Sequence, residues 1–212
     1  MKSALIVIDV QNDFLPGGAL AVPRGHEVVP IACALAPRFR FVVATKDWHP
    51  PEHKSFAIHH PGHHPGDIID LDGFRQTLWP AHCVQHTPGA DFAPGLEIGC
   101  RIDRVILKGT DPAIDSYSGF ADNGHRKKTN LEQALREHRI ERIFLCGLAT
   151  DYCVKFTALD GIALGFEVML IEDGCRAVDL TPGDGAAAII EMRTAGVRIV
   201  HSRDFEGDPK SN

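Results

Sequence analysis

Six short, mostly apolar runs recur along the chain with amphipathic stretches between them, and this alternation limits the fold more than any other feature. The runs are Ala4–Ile8, Phe39–Ala44, Val105–Leu107, Ile143–Cys146, Val168–Ile171 and Val197–Val200. A strand with one wet face alternates apolar and polar residues, whereas continuous apolar runs are buried on both faces. Helical patterns fall over Gly25–Ala36, Asn130–His138, Asp151–Leu164 and Pro182–Ala195. The last has Thr181 as cap, Pro182 at the first helical position and Gly196 as its stop. Strands alternating with helices predict an α/β fold: a doubly wound, six-stranded, mainly parallel sheet with helices on both faces. Ligands then bind outside the carboxyl ends of the strands, near the point where strand order reverses.

One region breaks this rhythm. From Asp47 to about Gly99 periodicity is weak, and eight of the twelve histidines fall between His49 and His86. A loop this long inside a compact domain is usually functional or disordered. No repeat or linker divides the chain, so residues 1–212 are expected to form a single domain with a long metal-binding loop region at about 47–99. At 212 residues and 44% hydrophobic, the chain can bury one large core. No apolar stretch is long enough to span a membrane. Ala4–Ile8 runs straight into Asp9, too short for the apolar core of a signal peptide. The six cysteines, at 33, 83, 100, 146, 153 and 175, lack the spacing of a zinc knuckle or a small disulfide scaffold. These features predict a cytoplasmic protein in which Cys33, Cys100 and Cys146 are inert. Net charge is −6 and the one basic run, Arg126-Lys127-Lys128, reads as a solvated turn, so neither nucleic acid nor membrane is an expected partner.

Three reactive side chains fall at predicted strand ends. Asp9 closes the first run, Lys108 closes Val105–Leu107, and Cys153 opens the helix after Ile143–Cys146. Thr150 or Asp151 is the predicted N-cap of that helix. A thiol at a helix N-terminus meets free N–H groups and the positive end of the dipole, which favour thiolate. Asp9 can take the thiol proton and return it to a leaving amine, while Lys108 holds Asp9 ionised. Taken singly, they read as a strand-end cap, a snorkelling surface lysine and a packing thiol; their joint placement favours chemistry. The next strand end runs into Asp47-Trp48-His49, which places a carboxylate and an imidazole on one side of an extended segment. They suit a divalent metal such as Zn, Mn or Fe(II). A third ligand would come from His53, His59, His60, His63, His64, His82 or His86, and spacing does not choose among them.

These segments together resemble the nicotinamidase family within the isochorismatase-like hydrolases. The resemblance is carried by Ile8-Asp9-Val10-Gln11-Asn12-Asp13-Phe14, Lys46-Asp47-Trp48-His49-Pro50, Trp79-Pro80-Ala81-His82-Cys83-Val84, Leu107-Lys108-Gly109, Asp115-Ser116-Tyr117-Ser118-Gly119-Phe120 and residues 147–154. His53-Lys54-Ser55-Phe56 adds a segment found in bacterial members. The resemblance implies a catalytic triad of Asp9, Lys108 and Cys153, and metal ligands Asp47, His49 and His82, with His53 as second choice for the third. It implies Phe14 and Trp79 on either side of a pyridine ring, and an oxyanion hole from the N–H groups of Ala149 and Cys153 after a cis peptide. Tyr117 and Tyr152 read as pocket-wall or packing residues. The expected activity is hydrolysis of nicotinamide, and of pyrazinamide, through a thioester, serving NAD salvage. The expected cofactor is one divalent ion per chain, Zn2+ ahead of Fe2+ or Mn2+. His59-His60-Pro61-Gly62-His63-His64 departs from the family pattern and reads as a solvated loop. Another cysteine amidohydrolase of this superfamily, acting on a carbamoyl or ureido group, is the alternative; it has less use for the Asp-Trp-His pair. A phosphoacceptor receiver domain would want paired acids where the chain has Asp9-Val10-Gln11, and a His-rich metal-binding protein would leave Cys153 without a role. A homo-oligomer is compatible with the sequence.

Overall fold

The computed structural model describes residues 1–204. Six strands form one parallel sheet: β1 (Ser3–Ile8), β2 (Phe41–Asp47), β5 (Arg104–Lys108), β6 (Arg142–Leu148), β7 (Glu167–Arg176) and β8 (Arg198–Val200). Their order across the sheet is β5-β2-β1-β6-β7-β8. A separate hairpin pairs β3 (Ile68–Leu71) with β4 (Phe74–Thr77). The helices are α1 (Val28–Leu35), α2 (Pro94–Gly99), α3 (Leu131–Glu137), α4 (Lys155–Ala163) and α5 (Asp184–Thr194). The chain winds outward from β1 to β2 and β5, then returns past β1 to β6 and continues to β7 and β8. Right-handed crossovers therefore put α1 and α2 on one face and α3, α4 and α5 on the other. Both faces being covered, every residue of β1 is buried, as its unbroken apolar character requires. Strand order reverses between β1 and β6, and their carboxyl ends carry Asp9 and the segment leading to Cys153.

All six predicted sheet strands form, with shifted ends. β2 starts two residues later than its apolar run and continues through Thr45, Lys46 and Asp47, because these polar residues pair with β5. The predicted cap of α5 is overturned. Gly183, at φ 101°, occupies the cap position, and the helix starts at Asp184, beyond Thr181 and Pro182. The Thr181 N–H donates to Asp184 Oδ2 at 2.9 Å, so the aspartate ties the loop to the helix. Gly196 does stop it: at φ 103°, its N–H donates to the Arg193 carbonyl and that of Val197 to Met192.

The irregular region at 47–99 contains more order than its composition predicts. Asp72 and Gly73, at φ 54° and 87°, make the two-residue turn of the β3–β4 hairpin. Ser55 and Ala57 exchange backbone hydrogen bonds with Trp79, and the Lys54 N–H donates to the Pro112 carbonyl. Cys33 and Cys100 form a disulfide, contrary to the expectation that both are inert thiols. Sixty-seven residues separate them, so spacing carries no signal; packing of α1 against α2 brings them together. The other four cysteines are free and buried. Among the described residues, no helix is long and apolar enough to cross a membrane.

Candidate active site

Asp9 follows β1 in a left-handed conformation, φ 48°, and is wholly buried. Thr45, on the neighbouring strand, donates its hydroxyl to Asp9 Oδ1 at 2.6 Å and accepts the Asp9 N–H at 3.2 Å. Lys108 ends β5 in register with Asp47, and its side chain is buried. Its Nζ lies 2.9 Å from Asp9 Oδ2 and 3.3 Å from Cys153 Sγ, and donates to Asp47 Oδ1 and, at 2.8 Å, to the Ser116 carbonyl. Burial disfavours the ammonium, but Asp47, Asp9 and Cys153 overrule it, and Lys108 stays charged.

Cys153 is delivered by a sharp exit from β6. The Leu148–Ala149 peptide is cis, Ala149 is extended, and Thr150–Val154 form a π-helical turn before α4. The Ala149 carbonyl accepts the N–H groups of Tyr152 and Val154, both at 3.1 Å. Neither Thr150 nor Asp151 caps this turn: Ala149 holds the boundary, with no side-chain cap. Asp151 instead accepts the N–H groups of Val178 and Asp179, at 3.0 and 2.8 Å, tying the turn to the chain leaving β7. The resting state of Cys153 also departs from expectation. Burial pushes the thiol well above its ordinary range; Lys108 opposes this, but the Asp9 and Asp47 carboxylates add to it. Cys153 therefore rests as a thiol and needs a base. Burial raises Asp9 too, against the pull of Lys108, which makes it a stronger base than an ordinary carboxylate.

Asp47, His49 and His82 are buried together, with one candidate ligand atom from each lying within 4.8 Å of the others. His82 Nδ1 sits 2.8 Å from the Pro80 carbonyl. A carbonyl can only accept, so Nδ1 carries the hydrogen and Nε2 is bare, 3.8 Å from Asp47 Oδ2. Burial, with the neighbouring His49, drives the His82 pKa down to about 4, which keeps that lone pair available. His49 Nε2 lies 3.3 Å from Asp115 Oδ1 and donates there, while its Nδ1 is buried and has no hydrogen-bond partner among the described residues. Burial opposes the imidazolium, but Asp47 and Asp115 raise the His49 pKa, so a metal at Nδ1 would displace a proton. Burial would raise the Asp115 carboxyl, but its hydrogen bond and charge pairing with His49 hold it well below the usual range. Three buried carboxyl groups, Asp9, Asp47 and Asp115, thus face one ammonium. Orphaned imidazole nitrogen and surplus negative charge are what a divalent cation would compensate, so the residues fit the implied metal.

The remaining histidines divide. His53 is buried beside His49, with its Nδ1 accepting the Ser55 N–H at 3.2 Å, and it joins His49 and Asp115 in a second grouping of potential ligands. His59 and His60 bond to the carbonyls of Pro51 and Lys54, and His63 faces Asp67. Among the described residues, His59, His60, His63 and His64 join no group of three potential ligands. His86 packs edge-on against Trp48.

Cys153 opens onto a narrow cleft walled by Trp79, His82, Tyr117, Ala149 and Tyr152. Trp79 donates its indole N–H to Tyr117 Oη at 3.1 Å and packs edge-on against Tyr152. Phe14 reaches the site against the His82 ring, centroid to centroid 5.5 Å. Three contributors escaped the reading of the chain. Gln11 exchanges two 2.8 Å hydrogen bonds with the Asp47 backbone and clamps the ends of β1 and β2 together. Thr45 and Asp115 likewise act on partners 36 and 66 residues away, distances at which sequence carries no signal.

The isochorismatase domain family matches residues 3–204. A nicotinamidase of Escherichia coli (strain K12) is 48% identical over 207 residues, covering 96% of this chain and 96% of that protein. The solved structure of a nicotinamidase/pyrazinamidase of Acinetobacter baumannii superposes with a TM-score of 0.90 at 43% identity, covering 96% of this chain and 97% of that one. The pyrazinamidase of Pyrococcus horikoshii in complex with zinc gives a TM-score of 0.76 at 38% identity, covering 95% and 99%.

Proposed function

The chain belongs to the isochorismatase family and is an amide hydrolase, and from that premise we propose that it converts nicotinamide to nicotinate and ammonia through a cysteine thioester. The observation that carries this reading is the buried chain of contacts from Cys153 Sγ to Lys108 Nζ to Asp9 Oδ2, 3.3 and 2.9 Å, beside a cleft lined by Trp79 and His82. Trp79 and Phe14 hold the pyridine ring, and Asp47, His49 and His82 hold one divalent ion, Zn2+ ahead of Fe2+ or Mn2+. When bound, that ion supplies a Lewis-acidic anchor for the ring nitrogen, directly or through water.

Cys153 gives its proton to Asp9 and its sulfur attacks the carboxamide carbon, with the backbone N–H groups of Ala149 and Cys153 receiving the developing oxyanion. Asp9 passes the proton to the leaving nitrogen, ammonia departs, and the acyl group stays on sulfur as a thioester. Asp9 then takes a proton from water as the water oxygen attacks the acyl carbon. The carbon–sulfur bond breaks, Asp9 returns its proton to the departing sulfur to restore the thiol, and nicotinate leaves with its acid proton lost to solvent. Lys108 keeps Asp9 anionic between these transfers. Pyrazinamide carries the same aromatic carboxamide and is an expected second substrate. The reaction fits NAD salvage in the cytoplasm by a single domain spanning residues 1–212, of which 205–212 lie outside the described residues.

Ammonia release from nicotinamide tests the reading. Metal-replete protein should turn over; Cys153→Ala should lose about 10⁴-fold or more in kcat while retaining the fold. Mass spectrometry of quenched reactions should show a nicotinoyl adduct on the wild-type chain alone. Absence of ammonia from the metal-replete wild type would refute the function.

A further inference from the structure

We propose that Asp115 is a positioning residue that sets the tautomer and aim of His49 and thereby the affinity of the metal centre; this rests on the metal reading of Asp47, His49 and His82. Asp115 is buried, and its Oδ1 lies 3.3 Å from His49 Nε2. An ionised carboxylate only accepts, so the hydrogen that neutral His49 keeps sits on Nε2, and Nδ1 is the nitrogen that a metal would take. Nδ1 is the buried imidazole nitrogen of His49 left without a partner among the described residues.

Gly109 lies along the Nε2 edge. A Cβ built on it would stand 2.7 Å from His49 Nε2, so the absence of a side chain at this position lets the ring sit with that edge toward Asp115. Gly109 also has φ 64°, in the left-handed region that a glycine adopts without cost.

The carboxylate is itself fixed. The Ser116 N–H donates to Oδ1 at 2.7 Å, and Gln76 Nε2 approaches Oδ2 at 3.2 Å. Gln76 Nε2 also lies 3.2 Å from Tyr117 Oη, the group that accepts the Trp79 indole N–H. The β4 strand thus ties the metal-side carboxylate to the aromatic wall of the cleft. A histidine ligand whose far nitrogen is held by a carboxylate binds metal more tightly, and loss of such a partner costs about 10–100-fold in affinity.

The test compares metal-free wild type, Asp115→Asn and Asp115→Ala by zinc competition against a chromogenic chelator, with ring-nitrogen NMR of His49 in the metal-free proteins. Wild type, titrated to the neutral imidazole, should show His49 as the Nε2–H tautomer. Asp115→Ala should mix tautomers and bind zinc about 10–100-fold more weakly. Asp115→Asn, whose amide oxygen still accepts the Nε2–H, should lose less. If Asp115→Ala does not fold, Asp115→Asn and the wild-type tautomer decide. Zinc affinity within twofold of wild type in the folded variants, or an Nδ1–H tautomer in the wild type, would overturn the proposal. Failure to bind zinc at all in the wild type would overturn the metal reading and this inference with it. Zinc binding without ammonia release would instead overturn the nicotinamide reading alone.

Discussion

A lysine ammonium with its side chain sealed from solvent is costly by several kcal/mol, and Lys108 carries that cost because Asp9, Asp47 and the Ser116 carbonyl all converge on it. The same burial raises Asp9 and Cys153, so the proposed base and nucleophile are matched as a protonated thiol beside a strengthened carboxylate. The sign of the pH dependence follows. In the proposed reaction attack requires ionised Asp9, whose carboxyl burial pushes above the ordinary aspartate range. The acid limb of kcat/KM, measured with metal held saturating, should therefore lie at higher pH than an ordinary aspartate gives. Thr45 stabilises the ionised form through its hydroxyl. Thr45→Val should move the limb further up and lower kcat/KM about tenfold or more, the scale of a hydrogen bond to a charged group. An acid limb unmoved by Thr45→Val would contradict the assignment of Asp9 as base. Asp9, Lys108 and Cys153 were legible because each sits at the end of an apolar run. Thr45, Gln11 and Asp115 were not, since each reveals its role only through a partner far along the chain.

At the scale of elements, the site depends on how closely β6 approaches β1. A Cβ at Gly147, which has φ 133°, would stand 2.1 Å from the Ile8 carbonyl oxygen, one residue before Asp9. No side chain rotation relieves a clash with backbone. Gly147→Ala should destabilise the protein by about 3 kcal/mol or more, read as a lowered urea midpoint with unchanged slope, and should depress activity in whatever folds. A midpoint equal to wild type would mean the strands separate without penalty. Periodicity was enough to find the six sheet strands and the larger helices, but it missed the β3–β4 hairpin. The Asp72-Gly73 signal was present, yet its flanking strands are only four residues each and largely solvent-facing, so they lack the apolar alternation that marks a strand.

For the whole molecule, the proposed ligands come from the end of β2 and from the Trp79–Val84 segment, which meet through the His49–Cys83 backbone bond. Metal bound only by the folded state is then a stabilising term. At about 100 times its Kd it contributes about 2.7 kcal/mol, which for a chain of this length raises Tm by roughly 5–10 °C. Calorimetry of chelator-stripped and zinc-reloaded protein should show that rise, and His82→Ala should abolish it. Equal melting temperatures with and without zinc would remove the ion from this site. The sequence by itself determined which runs become buried strands, that the sheet is parallel and doubly wound, and which reactive residues stand at its carboxyl edge. Those properties follow from local polarity and from chain connectivity. Only the tertiary structure decided that Cys153 rests protonated, that Asp115 faces His49, and that Cys33 meets Cys100. Each depends on desolvation or contact between residues remote in the chain, and neither exists until the sheet has closed around them.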